Sequence, residues 1–252
     1  RGGKAGMRVL TWTGSIRSDS DMTDRTTPVK PVDAAGLVLI RSGRTGEPEI
    51  LLGRRHTKAG FLPDIYVVPG GRVDPADSAP SGFAGTLVPA VETALKSGGS
   101  RRPPRAFPHA ALRETFEETG LLVGRSGRPT AESAAPIWQA YRDAGLAPPF
   151  GSIDFICRAI TPVTSRRRYN TRFFLADGGE AQGPIRGNGE LEDLAWRPAS
   201  ALDGLTIVDV TQYVLEEALR RWRARHPAGA IAPKLLNYRK DIMTLSRHRT
   251  RA

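Results

Sequence analysis

The chain has 252 residues, of which 39% are hydrophobic and 25% charged. These are the values of an ordinary globular protein, and the length allows a sizeable core. The longest apolar runs, such as 34–40, are far too short to cross a bilayer. No N-terminal stretch has the layout of a secretion signal, and the single cysteine, Cys157, excludes an internal disulfide or a multi-cysteine zinc site, so the expected location is the cytoplasm and Cys157 is expected to be an inert buried thiol.

The net charge of +11 is uneven. Residues 220–252 hold ten Lys/Arg against one acid, and residues 1–31 hold six against three, whereas 32–219 has 21 basic and 22 acidic residues. A near-neutral body argues against an extended nucleic-acid groove, although a basic end can attract acidic partners. The organisation expected is a loose N-terminal tail over 1–31, one domain over 32–224, and a basic C-terminal segment over 225–252.

In chain order, 34–41 reads as a buried strand and 42–48 as a turn. Residues 49–54 form its hairpin partner, and 65–68 a third strand that stops at Pro69-Gly70-Gly71. An insertion-like region follows at about 78–107, with helical character over 88–96 and then Gly-Gly-Ser-Arg-Arg-Pro-Pro. The best helix spans 108–119. Proline suits its first turn, and Gly120 suits its left-handed C-terminal cap. A helix over 134–144, strands over 153–160, 172–176 and 194–197, and an amphipathic helix over 209–223 complete the series. Strands and helices interleave without regular alternation, which favours a mixed sheet between helices, an α/β (α+β) class.

The chemistry concentrates in Arg113-Glu114-Thr115-Phe116-Glu117-Glu118-Thr119-Gly120. Spacings of three and four residues place Glu114, Glu117 and Glu118 on one helix face, with Leu112, Phe116 and Thr119 roughly opposite. Three carboxylates near a helix C-terminus repel one another and oppose the helix dipole. A divalent cation is the natural compensator, and an all-oxygen set selects hard Mg²⁺ or Mn²⁺ over zinc. The alternative is a solvated acidic face. The histidines, His56, His109, His226 and His248, have no ligand-like spacing, and His109 is expected at the surface. Neither a phosphate loop nor a zinc helix is present.

This segment resembles the second half of the Nudix box, with Thr115 in a usually apolar slot. The first half matches Gly71 followed by Asp77, where glutamate is usual. Residues 78–112 then separate Asp77 from Arg113, where the family has a short spacer. That interruption resembles the Nudix branch containing the coenzyme A diphosphatase of mammalian peroxisomes and many bacterial relatives. Further likeness lies in Leu51-Leu52-Gly53-Arg54-Arg55, Gly60-Phe61-Leu62-Pro63 and Arg167-Arg168-Tyr169-Asn170-Thr171-Arg172-Phe173-Phe174-Leu175, and it spans about 33–220.

The resemblance implies an α/β/α sandwich in which the box forms a loop–helix–loop, and metal-dependent hydrolysis of a diphosphate bond in a nucleotide derivative. The expected metal ligands are Glu114, Glu117, Glu118 and the Gly71 carbonyl, with Mg²⁺ or Mn²⁺ as cofactor. Arg113 is expected to pair with Asp77 and join the glutamates as catalytic machinery, while Gly120 supports the box. Arg54, Arg55, Gly70 and Gly71 are candidates for the substrate phosphates, and Arg166-Arg167-Arg168 for a further phosphate such as the ribose 3′-phosphate of coenzyme A. The general base is Glu114 or an acid of the loop 180–192. Phe61 and Tyr66 are expected to pack rather than stack on a base. The substrate expected first is coenzyme A or acyl-coenzyme A, with ADP-ribose or another nucleoside diphosphate derivative as the rival. Readings of another class are a non-catalytic nucleotide sensor, disfavoured by the retained glutamates, and an RNA-binding protein using the basic C-terminal segment. A homodimer is compatible with the sequence, and a membrane partner is not expected.

Overall fold

The computed structural model describes residues 7–11, 29–133, 135–239 and 242–248. The first elements are β1 (Arg8–Leu10), β2 (Val32–Ser42), β3 (Pro48–Arg55), β4 (Tyr66–Val67) and β5 (Gly70–Arg72). After a 3₁₀ turn at Pro75–Ser78 come α1 (Pro89–Lys96), α2 (Ala106–Thr119), β6 (Leu122–Val123), β7 (Arg125–Ser126), α3 (Pro136–Asp143) and β8 (Leu146–Ala147). The second half holds β9 (Asp154–Ile160), β10 (Tyr169–Asp177), β11 (Ala181–Gln182), β12 (Leu191–Pro198), β13 (Thr206–Val208), α4 (Asp209–Arg223), β14 (Lys234–Arg239) and β15 (Ile242–Arg247).

Among the described residues, nine strands form one mixed sheet in the order β12-β3-β2-β10-β9-β14-β15, with β4 beside β3 and β5 beside β2. β2 and β10 run parallel, as do β9 and β14. Strand alternation sorts the apolar side chains by face. Ala35, Leu37 and Leu39 of β2 join Leu51 in a core shared with α1, α2 and α3. Val38 and Ile40 join Ile50 and Leu52 in a second core under α4. The result is a helix–sheet–helix sandwich, and α2 lies against the middle of the sheet.

β2 divides its flank between two partners. Its C-terminal half pairs with β3, as in Ile40↔Ile50, and its N-terminal half with β5, as in Ala35↔Gly71 and Gly36↔Gly70. The Pro69-Gly70-Gly71 turn is thereby stitched into the sheet, with Leu37 N–H donating to the Pro69 carbonyl at 2.9 Å. A Cβ at Gly70 would strike the Ala35 carbonyl and the Gly36 Cα, so no larger residue fits this approach.

Apart from 7–11 and 29–31, the tail set off at 1–31 lies outside the described residues, and Arg8–Leu10 runs parallel to Thr206–Val208. Within the basic C-terminal segment, β14 joins β9 and β15 follows β14. Arg221, 1% exposed, ties this end down by donating to Asp154 at 2.8 Å and to the Ile231 carbonyl at 3.1 Å. Gly229 N–H meets the other Asp154 oxygen at 2.8 Å. Among the described residues no helix is long and apolar enough to cross a membrane. Cys157 is fully buried, and burial pushes its thiol upward.

His109 corrects the expectation of a surface residue. It is 3% exposed, its Nδ1 meets the Asp77 carbonyl at 2.9 Å, and its ring lies edge-on to Trp138 at 4.8 Å. Burial pulls its pKa down to about 4, so the imidazole is neutral and packs α2 against Trp138, Phe150 and the Asp77 turn. One further expectation follows from β14. Leu236 is 0% exposed in the core beneath α4, so Leu236→Ala should cost about 2–5 kcal/mol in urea unfolding. A change below about 0.5 kcal/mol would mean that the C-terminal segment is not integral to the sheet.

Candidate active site

Helix α2 ends where its glutamates are needed. Gly120 takes φ 76°, and its N–H donates to the Phe116 carbonyl at 2.8 Å, closing the helix in a left-handed cap. Arg186 N–H then meets the Thr119 carbonyl at 2.8 Å, which fastens the loop before β12 to the end of α2. Thr115, in the slot where the motif usually has an apolar residue, is fully buried and returns its hydroxyl to the Ala111 carbonyl at 2.7 Å. This internal bond lets a polar residue face the core.

The three glutamates differ in environment. Glu118 is 3% exposed and accepts from Gly70 N–H at 2.9 Å. The Glu114 side chain is 15% exposed and lies over Gly71, where a Cβ would collide with its carboxylate. The Glu117 side chain is 49% exposed at the rim. The helix therefore presses two carboxylates onto the glycine turn and leaves the third facing outward.

Arg113 organises this cluster. Its Nε and Nη2 donate to the two Asp77 oxygens, both at 2.9 Å. Nη2 also reaches the Arg72 carbonyl at 2.9 Å, while Nη1 serves Glu114 at 2.9 Å and Glu117 at 3.0 Å. A bidentate guanidinium–carboxylate pair of this kind is both strong and directional. The shorter Asp77 side chain reaches because the Pro75–Ser78 turn carries its backbone close, and Asp77 also accepts from Asp74 N–H at 2.7 Å.

Negative charge exceeds positive charge here. Burial pushes Glu114 up to about 7 and Glu118 up to about 8, opposed by Arg113 for the first and by the Gly70 N–H for the second. The Glu190 carboxylate raises both further. Among the described residues no three His, Cys, Asp or Glu side chains stand together as a ready metal cage. Glu114 and Glu117 turn to Arg113, and Glu118 to Gly70. Converging on one cation would require the glutamates to exchange these partners for it. The fit to a hard divalent cation rests on an all-oxygen donor set and on carboxylate charge that the local cations leave unbalanced.

A cavity of about 460 Å³ opens over this cluster. Glu114, Glu117, Glu118, Gly70 and Gly71 line it together with Arg55. The Arg55 Nε is buried without a hydrogen-bond partner among the described residues. Arg54 is not part of its wall. It donates to Glu192 at 2.8 Å and Asp64 at 3.4 Å. Of the acids in the loop 180–192, Glu190 faces the cavity, whereas Glu180 bonds Arg125 at 2.7 Å and Glu192 bonds Arg54. Arg168 donates to the carbonyls of Thr161 at 3.1 Å and Val29 at 2.8 Å. Arg167 rests against Gly60, beside the Phe61–Leu62 wall. Tyr66 packs under Arg197 and donates to Asp193 at 2.5 Å. The far end holds Asp209 and Tyr238, joined at 2.6 Å. Neither residue stood out in the sequence, since they come from segments that only the folded sheet brings together.

No family model matches the chain. The crystal structure of a NUDIX hydrolase from Alicyclobacillus acidocaldarius is 32% identical, covers 76% of this chain and 92% of its own, and superposes with a TM-score of 0.58. The acyl-coenzyme A diphosphatase NUDT19 of Gallus gallus is 32% identical over 179 residues, which is 50% of this chain and 47% of that protein. The chain thus spans about half the length of that curated relative.

The raised carboxyls give stability a definite pH dependence. In the native protein Glu114 and Glu118 hold protons up to about 7 and 8, whereas unfolded glutamate loses them near 4.5. The native state therefore binds more protons through this range, and stability falls as pH rises. His109 acts with the opposite sign, but only between about 4 and its ordinary value of 6.5. With chelator present, the thermal midpoint should decline between about pH 6.5 and 8, and less steeply in Glu118→Gln. A midpoint that rises over this interval in the unsubstituted protein would contradict the burial of these groups.

Proposed function

This chain belongs to the Nudix hydrolase family, and from that premise we propose that it hydrolyses the diphosphate bond of coenzyme A or acyl-coenzyme A with Mg²⁺ or Mn²⁺. The observation that carries the proposal is the seating of Glu114 and Glu118 on the Gly70-Gly71 turn, inside a cavity that also presents Arg55. In this reading Glu114, Glu117, Glu118 and the Gly71 carbonyl hold the cation. Such a cation, when bound, screens the diphosphate charge and acidifies water.

The protein's own groups divide the remaining work. Arg55 is the guanidinium proposed for the phosphate oxygens, since it lines the cavity beside the glutamates. Arg54 takes no part, because its charge is spent on Glu192 and Asp64. Arg113 locks the helix to the turn through Asp77 and the Arg72 carbonyl. Glu190 and Glu114 are the two bases within reach of the cluster, and exposure of Glu190 on a loop leaves it free to accept a proton from water. The coenzyme A assignment is supported by the curated relative's activity and by Arg167 beside the cavity wall, where a further phosphate would meet it. RNA binding through the C-terminal segment is less favoured, because that segment supplies β14 and β15 of the sheet.

Turnover of coenzyme A, acyl-coenzyme A, ADP-ribose, NADH and dinucleoside polyphosphates with Mg²⁺ or Mn²⁺, with products identified by mass, tests the substrate. The expected products from coenzyme A are a 4′-phosphopantetheine fragment and an adenosine bisphosphate. Preference for ADP-ribose would replace the coenzyme A assignment and keep the hydrolase. Glu117→Gln and Glu118→Gln should each fold and lose about a hundredfold or more in turnover. Full activity in both would refute the proposed ligand roles.

A further inference from the structure

Six buried side-chain nitrogens lack a hydrogen-bond partner among the described residues, and three of them belong to Arg172 and His248. Arg172 Nε and Nη2 are two, and His248 Nδ1 is the third. Arg172 is 0% exposed and His248 8%. These groups lie away from the carboxylate cavity, and neither lines it.

The charges around them do not balance. Arg172 of β10 stands directly opposite Arg158 of β9 in the antiparallel register, and like charges at such positions repel. One carboxylate, Asp33 of β2, acts on both guanidiniums. It accepts from Arg172 Nη1 at 2.6 Å, from Asn170 Nδ2 at 3.1 Å and from Ser100 Oγ at 2.6 Å. Arg158 Nε turns to the Asn170 oxygen at 2.7 Å. Two buried or half-buried guanidiniums thus share one carboxylate, which leaves a full positive charge inside the fold. Burial and the mutual repulsion of the two arginines lower the pKa of Arg158 to about 10. An uncompensated buried charge is costly.

The surroundings close the place off. The Phe107 ring covers the Arg172 guanidinium at 4.0 Å, and Gly98 lies against that of Arg158. His248 Nε2–H meets the Ala94 carbonyl at 2.8 Å, and its ring stands edge-on to Phe155 at 5.5 Å. Both arginines bear electrostatically on His248. The walls therefore come from the box insertion, from three sheet strands and from the end of the described chain.

We propose that Arg158, Arg172 and His248 form a site for one small inorganic anion, a halide or a phosphate, which seals the insertion and the C-terminal end onto the sheet. The anion accepts from the two unpartnered Arg172 nitrogens and supplies the missing negative charge. With Nε2 carrying a hydrogen, His248 Nδ1 offers a lone pair. A protonated phosphate meets it directly, whereas a halide is held by the arginines alone, since burial and the two guanidiniums lower the pKa of His248. Nothing in this depends on the hydrolase reading.

The test is the thermal midpoint of the full chain at constant ionic strength with chelator present. Methanesulfonate, a bulky weak ligand, is replaced stepwise by chloride in one series and by inorganic phosphate in another. The midpoint should rise by roughly 5–10 °C, in proportion to the logarithm of anion concentration, as the binding anion reaches about a hundredfold above its dissociation constant. Arg158→Met, which leaves buried Arg172 in place, should fold and lose the rise in both series, and His248→Gln should fold and lose it in the phosphate series. A response to chloride alone identifies a halide site, and one to phosphate alone an oxyanion site. A flat midpoint in both series would mean that water alone fills the place. A rise that survives in both variants would assign the effect to the general positive charge of the chain. Either result overturns the proposal.

Discussion

The site depends on one guanidinium. Arg113 sits where α2, the Pro75–Ser78 turn and β5 converge, and its five donors are distributed over Asp77, Glu114, Glu117 and the Arg72 carbonyl. Removing that hub would release three carboxylates and the glycine turn at once. Its surroundings hold it firmly cationic, since Asp77 and the two glutamates together outweigh the effect of burial. The arrangement also explains why a helix tolerates so much negative charge near its C-terminus. One carboxylate is bound to a backbone N–H, two lean on Arg113, and the remaining imbalance is what a dication would offset.

The long insertion does not loosen this machinery. It leaves the sheet at the Asp77 turn and returns through Phe107 and His109, which pack on Arg172 and against Trp138. The path therefore begins and ends in contact with buried groups, and the two halves of the motif meet through the Arg113–Asp77 pair. The C-terminal segment is equally built in, through Arg221, Asp154 and Leu236.

Much of this was legible in the sequence because the signals were local. The 3.6-residue period placed Glu114, Glu117 and Glu118 on one face, and Gly120 marked the helix end. Short apolar runs around a glycine-rich turn marked β2 and β3, whose two faces feed separate cores. What the sequence left open depended on distant partners. His109 read as a surface residue because nothing nearby in sequence announces Trp138 or the Asp77 carbonyl. Arg54 and Arg55 looked equivalent, yet strand alternation sends one to the cavity and the other to Glu192. Strands β14 and β15 were hidden by basic residues, since an edge hairpin can carry charge on its exposed side. The Arg158–Arg172 pair was invisible for the same reason: it exists only through strand register.

The central claim is that the Arg113–Asp77 clamp shapes the carboxylates into a cation site. The most direct measurement is Mn²⁺ binding by electron paramagnetic resonance, comparing the unsubstituted chain with Asp77→Asn. In that variant the guanidinium loses its anionic anchor and competes for Glu114 and Glu117, so affinity should fall by about tenfold or more while the fold is kept. Equal Mn²⁺ affinity in the two folded proteins would show that the clamp does not shape the site.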